Sequence, residues 1–121
     1  FLSGDDDYVR RDIAAVVAEA KPHGVLVKVI LETALLTLDQ VARACELAIQ
    51  AGADFVKTST GFNGEGATPE AVGVMLERCA GRAKVKPSGG IRDWETAVRY
   101  VRMGVDRLGV SASDKILNPC L

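Results

Sequence analysis

Two lysines stand where a lysine is costly. Lys57 lies in "ADFVKTSTGFNGEG", residues 53 to 66, at the end of an apolar run and ahead of small hydroxyl residues and three glycines. Lys86 lies in "AKVKPSGGIR", residues 83 to 92, in a matching position before a glycine pair. Adjacent strands are only about 4.8 Å apart, so two such side chains directed into one pocket bring their ammonium groups together. Burial and a neighbouring cation both lower a lysine's pKa, so one of the pair would carry a free amine near neutral pH, and a free amine attacks carbonyls. The alternative is that each lysine snorkels to the rim as a structural cation. The glycine segments supply a second half of a site. "PSGGIR" exposes the backbone N–H groups of Gly89 and Gly90 just before a helix. "LGVSAS", residues 108 to 113, does the same with Ser111 and Ser113, and Gly61 adds a donor. Such turns at helix N-termini bind phosphate.

The elements that must position these groups alternate along the chain. "DYVRRDIAAVVAEAK" places Val9, Ile13, Val16 and Val17 on one helical stripe, ended by Pro22, His23 and Gly24. "VLVKVIL" reads as a strand buried on both faces, as in parallel sheets. Thr37 and Gln40 form a capping box for "LDQVARACELAIQ", which Gly52 closes. "DFVKTST" is the second strand, and Thr68 with Pro69 opens "PEAVGVMLERCA", closed by Gly81. "AKVKPSG" is the third strand, Asp93 caps "WETAVRYVRM", Gly104 ends it, and "DRLGVSA" is a fourth strand ahead of a short helix from Ser113. By the period of two, Phe55, Lys57 and Ser59 share one face, Val56 and Thr58 the other, and Lys84 and Lys86 share a face on the next strand. Strand centres near Lys28, Val56, Val85 and Gly109 are 28, 29 and 24 residues apart, one strand-helix unit each. A flavodoxin-like open sheet and half of a (β/α)8 barrel both fit; lysines at the C-terminal ends of successive strands lean toward the barrel.

Composition bounds the function classes. The 121 residues are 48% hydrophobic, and 15 Lys and Arg against 16 Asp and Glu give a net charge of -1. That is one globular domain, residues 1 to 121, without the basic footprint of nucleic-acid binding; Arg10-Arg11 is a solvated helix face. Cys45, Cys79 and Cys120 are odd in number and widely spaced, which fits neither a disulfide framework nor a zinc site and points to a reducing cytoplasm. No apolar run approaches the roughly 20 residues of a membrane span, and no signal-peptide layout is present. A start at Phe1 suggests a fragment or processed piece. His23 in its turn lacks the companions a metal site needs, Trp94 belongs to the exterior of a helix layer, and Cys120 has no partner base to make it a nucleophile.

The set "VKVILET", "AGADFVKTSTGF", "GAT", "VKPSGGIR" and "RLGVSAS", in that order and spacing, resembles the C-terminal half of the deoxyribose-phosphate aldolase family, from about Ser3 to Ser113. The resemblance implies an α/β chain of the (β/α)8 TIM-barrel type, with the four strands here corresponding to strands five to eight. It implies a lyase of deoxynucleotide catabolism that reversibly cleaves 2-deoxyribose 5-phosphate to glyceraldehyde 3-phosphate and acetaldehyde. Lys57 maps to the Schiff-base nucleophile and Lys86 to the lysine that tunes it and shares in proton transfer. Phosphate contacts fall on Gly61, Gly89, Gly90, Gly109 and Ser111, with Arg92 nearby. No metal or organic cofactor is implied.

The sequence departs from the family in two places. An acid-base aspartate of the fourth barrel strand has no counterpart, since Asp5, Asp6 and Asp7 fall in the linker after that strand. Glu32, the nearest local carboxylate, reads equally well as a polar loop cap. Ala112 stands where a second serine is usual. A half-barrel also leaves two unpaired sheet edges, which predicts self-association or pairing with a missing N-terminal half, with no nucleic-acid or membrane partner. The alternatives to an aldolase are a half-barrel that binds sugar phosphates without turnover and a fragment whose sheet edges bind partner chains.

Overall fold

The computed structural model describes residues 1–118. Cys120 lies outside the described residues. The four longer helices each start where a side chain satisfies a free amide. Asp5 accepts from Tyr8 N ahead of α1 (Asp6–Ala20), and Thr37 and Gln40 complete a reciprocal capping box on α2 (Leu38–Gln50). Thr68 caps α3 (Pro69–Cys79) and Asp93 caps α4 (Trp94–Met103). Gly24, Gly52, Gly81 and Gly104 sit at positive φ just past the helical turns, the left-handed stops that glycine takes without strain. A short α5 (Ser113–Leu117) follows.

Between the helices lie β1 (Lys28–Ile30), β2 (Phe55–Lys57) and β3 (Lys84–Lys86), a parallel sheet in the order β1-β2-β3. The register aligns Lys28, Phe55 and Lys84, then Val29, Val56 and Val85, then Ile30, Lys57 and Lys86. The middle row points into the core: Val56 and Val85 are fully buried against Val41 and Cys45 of α2 and Val72 and Met75 of α3. Phe55, Lys57 and the row partners of each therefore face the other way. One side of the sheet is covered by helices and, among the described residues, the other is not. Among the described residues no helix is long and apolar enough to cross a membrane.

One repeated device fastens the units. Asp54 N donates to Val27 O at 2.9 Å while Asp54 Oδ2 accepts from Val27 N at 2.8 Å. Asp106 treats Val85 in the same way, at 3.1 and 2.9 Å. Both aspartates follow a helix-ending glycine by two positions, Gly52 and Gly104.

Three expectations change. The fourth strand is not a strand: residues 106 to 109 run beside β3 and donate from Asp106, Arg107 and Gly109, but among the described residues one isolated parallel bridge, Ser88 to Gly109, is all that closes. Pro87 has no N–H to return to this segment, so the ladder breaks there. "VLVKVIL" is not buried on both faces. It is an edge strand, with Val25 and Leu26 57% and 61% exposed and Ile30 42% exposed, because neither its outer edge nor its far face has a neighbour among the described residues. The α1 stripe narrows to Val9, Ile13 and Val17, with Val16 turned to solvent.

Met75→Ala removes a fully buried side chain between α2, α3 and the sheet and should lower the unfolding free energy by about 2–5 kcal/mol. Gly73→Ala, where an added methyl meets open space inside α3, should raise it by roughly 0.5–1 kcal/mol. Urea midpoints at fixed pH measure both.

Candidate active site

β2 and β3 end side by side, and their last residues, Lys57 and Lys86, are direct register partners. The chain then leaves each strand in a loop, and the two loops are latched to each other. Thr58, fully buried, donates from Oγ1 to Ser88 O at 3.0 Å and accepts from Ser88 N at 2.9 Å. Ser88 Oγ donates to Ser59 O at 2.6 Å. Further out, Ala67 N reaches Ser88 O at 2.9 Å, and this contact exists only because Gly66 lies on Gly89. A Cβ at Gly66 would stand 2.3 Å from the Gly89 carbonyl carbon. Gly109 closes the third side: a Cβ there would meet Ser88 Cβ at 2.5 Å and Lys86 Cε at 3.1 Å, so glycine leaves the lysine its room.

The result is a cleft of about 410 Å³ that gathers Lys57, Lys86, Gly61, Gly89, Gly90, Arg92, Gly109 and Ser111, all eight residues that the sequence singles out, together with Thr60 and Ser88. Gly61, Gly89 and Gly90 have φ of 94°, 83° and 77°. Among the described residues the N–H groups of Gly61 and Gly90 donate to no backbone carbonyl, which leaves them for a ligand. With Arg92 at the rim, the loop end of the cleft suits an anion and the strand end presents amines. Ser113 starts α5 instead of lining the cleft. Asp6 and Asp7 stay on α1, where Asp6 pairs with Arg43 and Asp7 with Arg10 and Arg11.

The electrostatics involve more than one lysine pair. Burial holds Lys86 below the usual lysine range, and the charges of Lys28, Lys57 and Arg107 depress it further. Lys28 sits two rows below Lys86 in the register, across β2, and its charge acts on the Lys86 amine more strongly than that of any other neighbour. Sequence reasoning missed this third amine. Alternation gave its face; the register that brings a lysine on β1 to one on β3, across β2, is not written in any local pattern. Gly66 was missed as well, since nothing in "GEGAT" shows which distant glycine it meets.

Glu32 proves to be a loop clamp. Its carboxylate accepts from Thr60 N at 3.0 Å, Thr60 Oγ1 at 2.6 Å and Asn63 Nδ2 at 3.1 Å. The hydrogen bonds to Thr60, then Asn63, hold its pKa below the usual carboxylate range. The residue takes a left-handed backbone (φ 56°), a conformation that a non-glycine residue adopts at a cost. Two other hollows, of about 480 and 580 Å³, lie elsewhere, one at the apolar edge of β1 and one along α4, and neither is lined by a lysine.

Comparison with known proteins agrees on the family. The family described as "DeoC/LacD family aldolase" matches residues 2–111. A deoxyribose-phosphate aldolase from Geobacillus sp. is 50% identical over 114 residues, covering 94% of this chain and 51% of the relative. Among solved structures, an aldolase called QR15 superposes with a TM-score of 0.90 at 41% identity, over 98% of this chain and 53% of its own. The tetrameric deoxyribose phosphate aldolase from Aeropyrum pernix gives 0.87 at 37% identity, over 97% and 50%. The chain thus spans about half the length of the relatives it matches, and the α/β architecture is that of a partial barrel.

Two outcomes test the site's electrostatics. Replacing Lys28 by Met should move the Lys86 titration, followed by side-chain NMR, up toward the ordinary lysine value without reaching it, because burial remains. Since Glu32 has a lowered folded pKa, its clamp is fully present above the usual carboxylate value and is lost only as pH falls through the lowered one. Amide exchange at Thr60 should therefore stay slow through the ordinary carboxylate range, and Glu32→Ala should speed it several-fold at neutral pH.

Proposed function

The chain belongs to the DeoC/LacD aldolase family, and from that premise we propose that it carries the amine chemistry of a class I, Schiff-base aldolase acting on 2-deoxyribose 5-phosphate. The observation that supports this reading best is the register pairing of Lys57 with Lys86 beneath glycine loops that converge on one cleft.

Lys57 is the nucleophile in this reading. Its amine adds to the C1 aldehyde, and loss of water gives an iminium. A base takes the proton from the C3 hydroxyl, the C2–C3 bond breaks, and its electron pair moves toward the iminium nitrogen, leaving an enamine on Lys57 and releasing glyceraldehyde 3-phosphate. Protonation of the enamine carbon and hydrolysis return acetaldehyde and the free amine. Lys86, held below the usual lysine range by burial and its cationic neighbours, suits the proton transfers, since an acid-base group works best when its pKa lies near the working pH. The N–H groups of Gly61 and Gly90, with Gly89, Arg92 and Ser111, suit the 5-phosphate. Thr60 is engaged by Glu32 and orients the loop. Ala112 offers no hydroxyl, so the phosphate grip rests on one serine.

Incubation with acetaldehyde and borohydride should attach one ethyl group to Lys57, read by peptide mass mapping, and Lys57→Ala should abolish it. Lys86→Ala should slow trapping by about 100-fold or more while leaving Lys57 in place. A phosphate-bearing aldehyde should trap at lower concentration than its unphosphorylated analogue. Sugar-phosphate binding with no trapped adduct would assign the chain to a binding role without turnover.

A further inference from the structure

Phe55 lies on the sheet face that α2 and α3 do not cover, yet it is only 3% exposed. The register sets it between Lys28 and Lys84, and it precedes Lys57 by two positions on the same face. Long cationic side chains cover it with their apolar stems and gather their charged ends at its ring. The Lys28 and Lys84 ammonium groups stand 5.8 and 5.6 Å from the ring centroid, and the Arg107 guanidinium carbon 4.7 Å. Arg107 N donates to Val85 O at 3.4 Å, so its backbone is held beside β3. An aliphatic side chain at position 55 would offer the same stems a surface but nothing to hold the charges. Mutual repulsion and side-chain entropy would then send these flexible ends toward water. The negative face of an aromatic ring opposes that dispersal.

Lys86 is the group that feels the gathering. Gly109 confines its stem, since a Cβ there would stand 3.1 Å from Lys86 Cε. The charges around it come from every neighbouring element: Lys28 on β1, Lys57 on β2, Lys84 on its own strand, Arg107 beyond β3 and Arg92 at the cleft rim. The nearby carboxylates are engaged elsewhere, Asp54 and Asp106 by the Val27 and Val85 amides and Glu32 by Thr60 and Asn63. Burial first, then the charges of Lys28, Lys57 and Arg107, hold Lys86 below the usual lysine range, and two of those three cations are the ones that the ring holds. We propose that Phe55 is a positioning residue, whose ring keeps Lys28 and Arg107 close to Lys86 and so poises that amine for proton transfer. Its effect on turnover rests on the class I aldolase reading; its effect on Lys86 does not.

Side-chain NMR titration of Lys86 and the pH profile of borohydride trapping with acetaldehyde, compared between the chain and its variants at position 55, test this. Phe55→Leu keeps an apolar side chain and removes the ring. It should move the Lys86 titration toward the ordinary lysine value and slow trapping at neutral pH by roughly threefold to tenfold. The loss should be recovered at alkaline pH, where Lys86 is uncharged in both proteins. Phe55→Tyr keeps the ring and should titrate as the parent chain does. Pentafluorophenylalanine at position 55 preserves shape and burial while inverting the charge distribution of the ring face, so it should behave as Phe55→Leu does, and it decides the matter should the leucine variant not fold. Lys28→Met combined with Phe55→Leu should shift Lys86 by less than the sum of the single changes, because both displace the same cation. An unmoved Lys86 titration in the fluorinated protein, equal shifts with leucine and tyrosine, strict additivity with Lys28→Met, or a trapping loss that persists at alkaline pH overturns the proposal. Absence of trapping in the parent chain while Lys86 responds as described sinks the aldolase reading and leaves the role of Phe55 standing.

Discussion

Two ammonium groups cannot approach one another in a poorly solvated pocket without altering the proton affinity of at least one of them, and the register of β2 against β3 enforces that approach. Every other feature of the site serves it. Val56 and Val85 anchor the central row in the helix-packed core, which fixes the two lysines on the far face at the same height. Lys28 enters from one strand further away and Arg107 from the segment beyond β3, so the depression of Lys86 is the property of a cluster and not of one neighbour.

Crowding of like charge is unfavourable, and the surrounding structure holds it in place with interactions that are short and mutually dependent. The Thr58 and Ser88 pair uses both hydrogen-bonding capacities of one buried hydroxyl to tie the end of β2 to the loop after β3. The Gly66 and Gly89 contact brings two backbones closer than any side chain permits, and Glu32 binds the loop from the other side. A site built this way trades local stability for position. The left-handed Glu32 is where that trade is visible.

Much of this was legible in the sequence, for identifiable reasons. Thr37 with Gln40, Thr68 with Pro69, and Asp93 are local signals that depend on three or four residues, and each formed as read. The eight cleft residues were also legible, because their motifs lie at strand ends and a repeated strand-helix unit brings strand ends together. What was not legible depends on pairing partners. Whether "DRLG" closes a ladder is decided by Pro87, some twenty residues away, and the burial of "VLVKVIL" by what lies beyond its edge rather than by its own apolar residues. Lys28 and Gly66 act through contacts across register and between loops, which no spacing along the chain encodes.

The paired aspartate fasteners at Asp54 and Asp106 carry a consequence for how the chain is made. Each side-chain carboxylate grips the strand before it, so its receptor has already been synthesised by the time it emerges. Assembly can then run in the direction of translation, with every newly exported unit ratcheted onto a platform already standing.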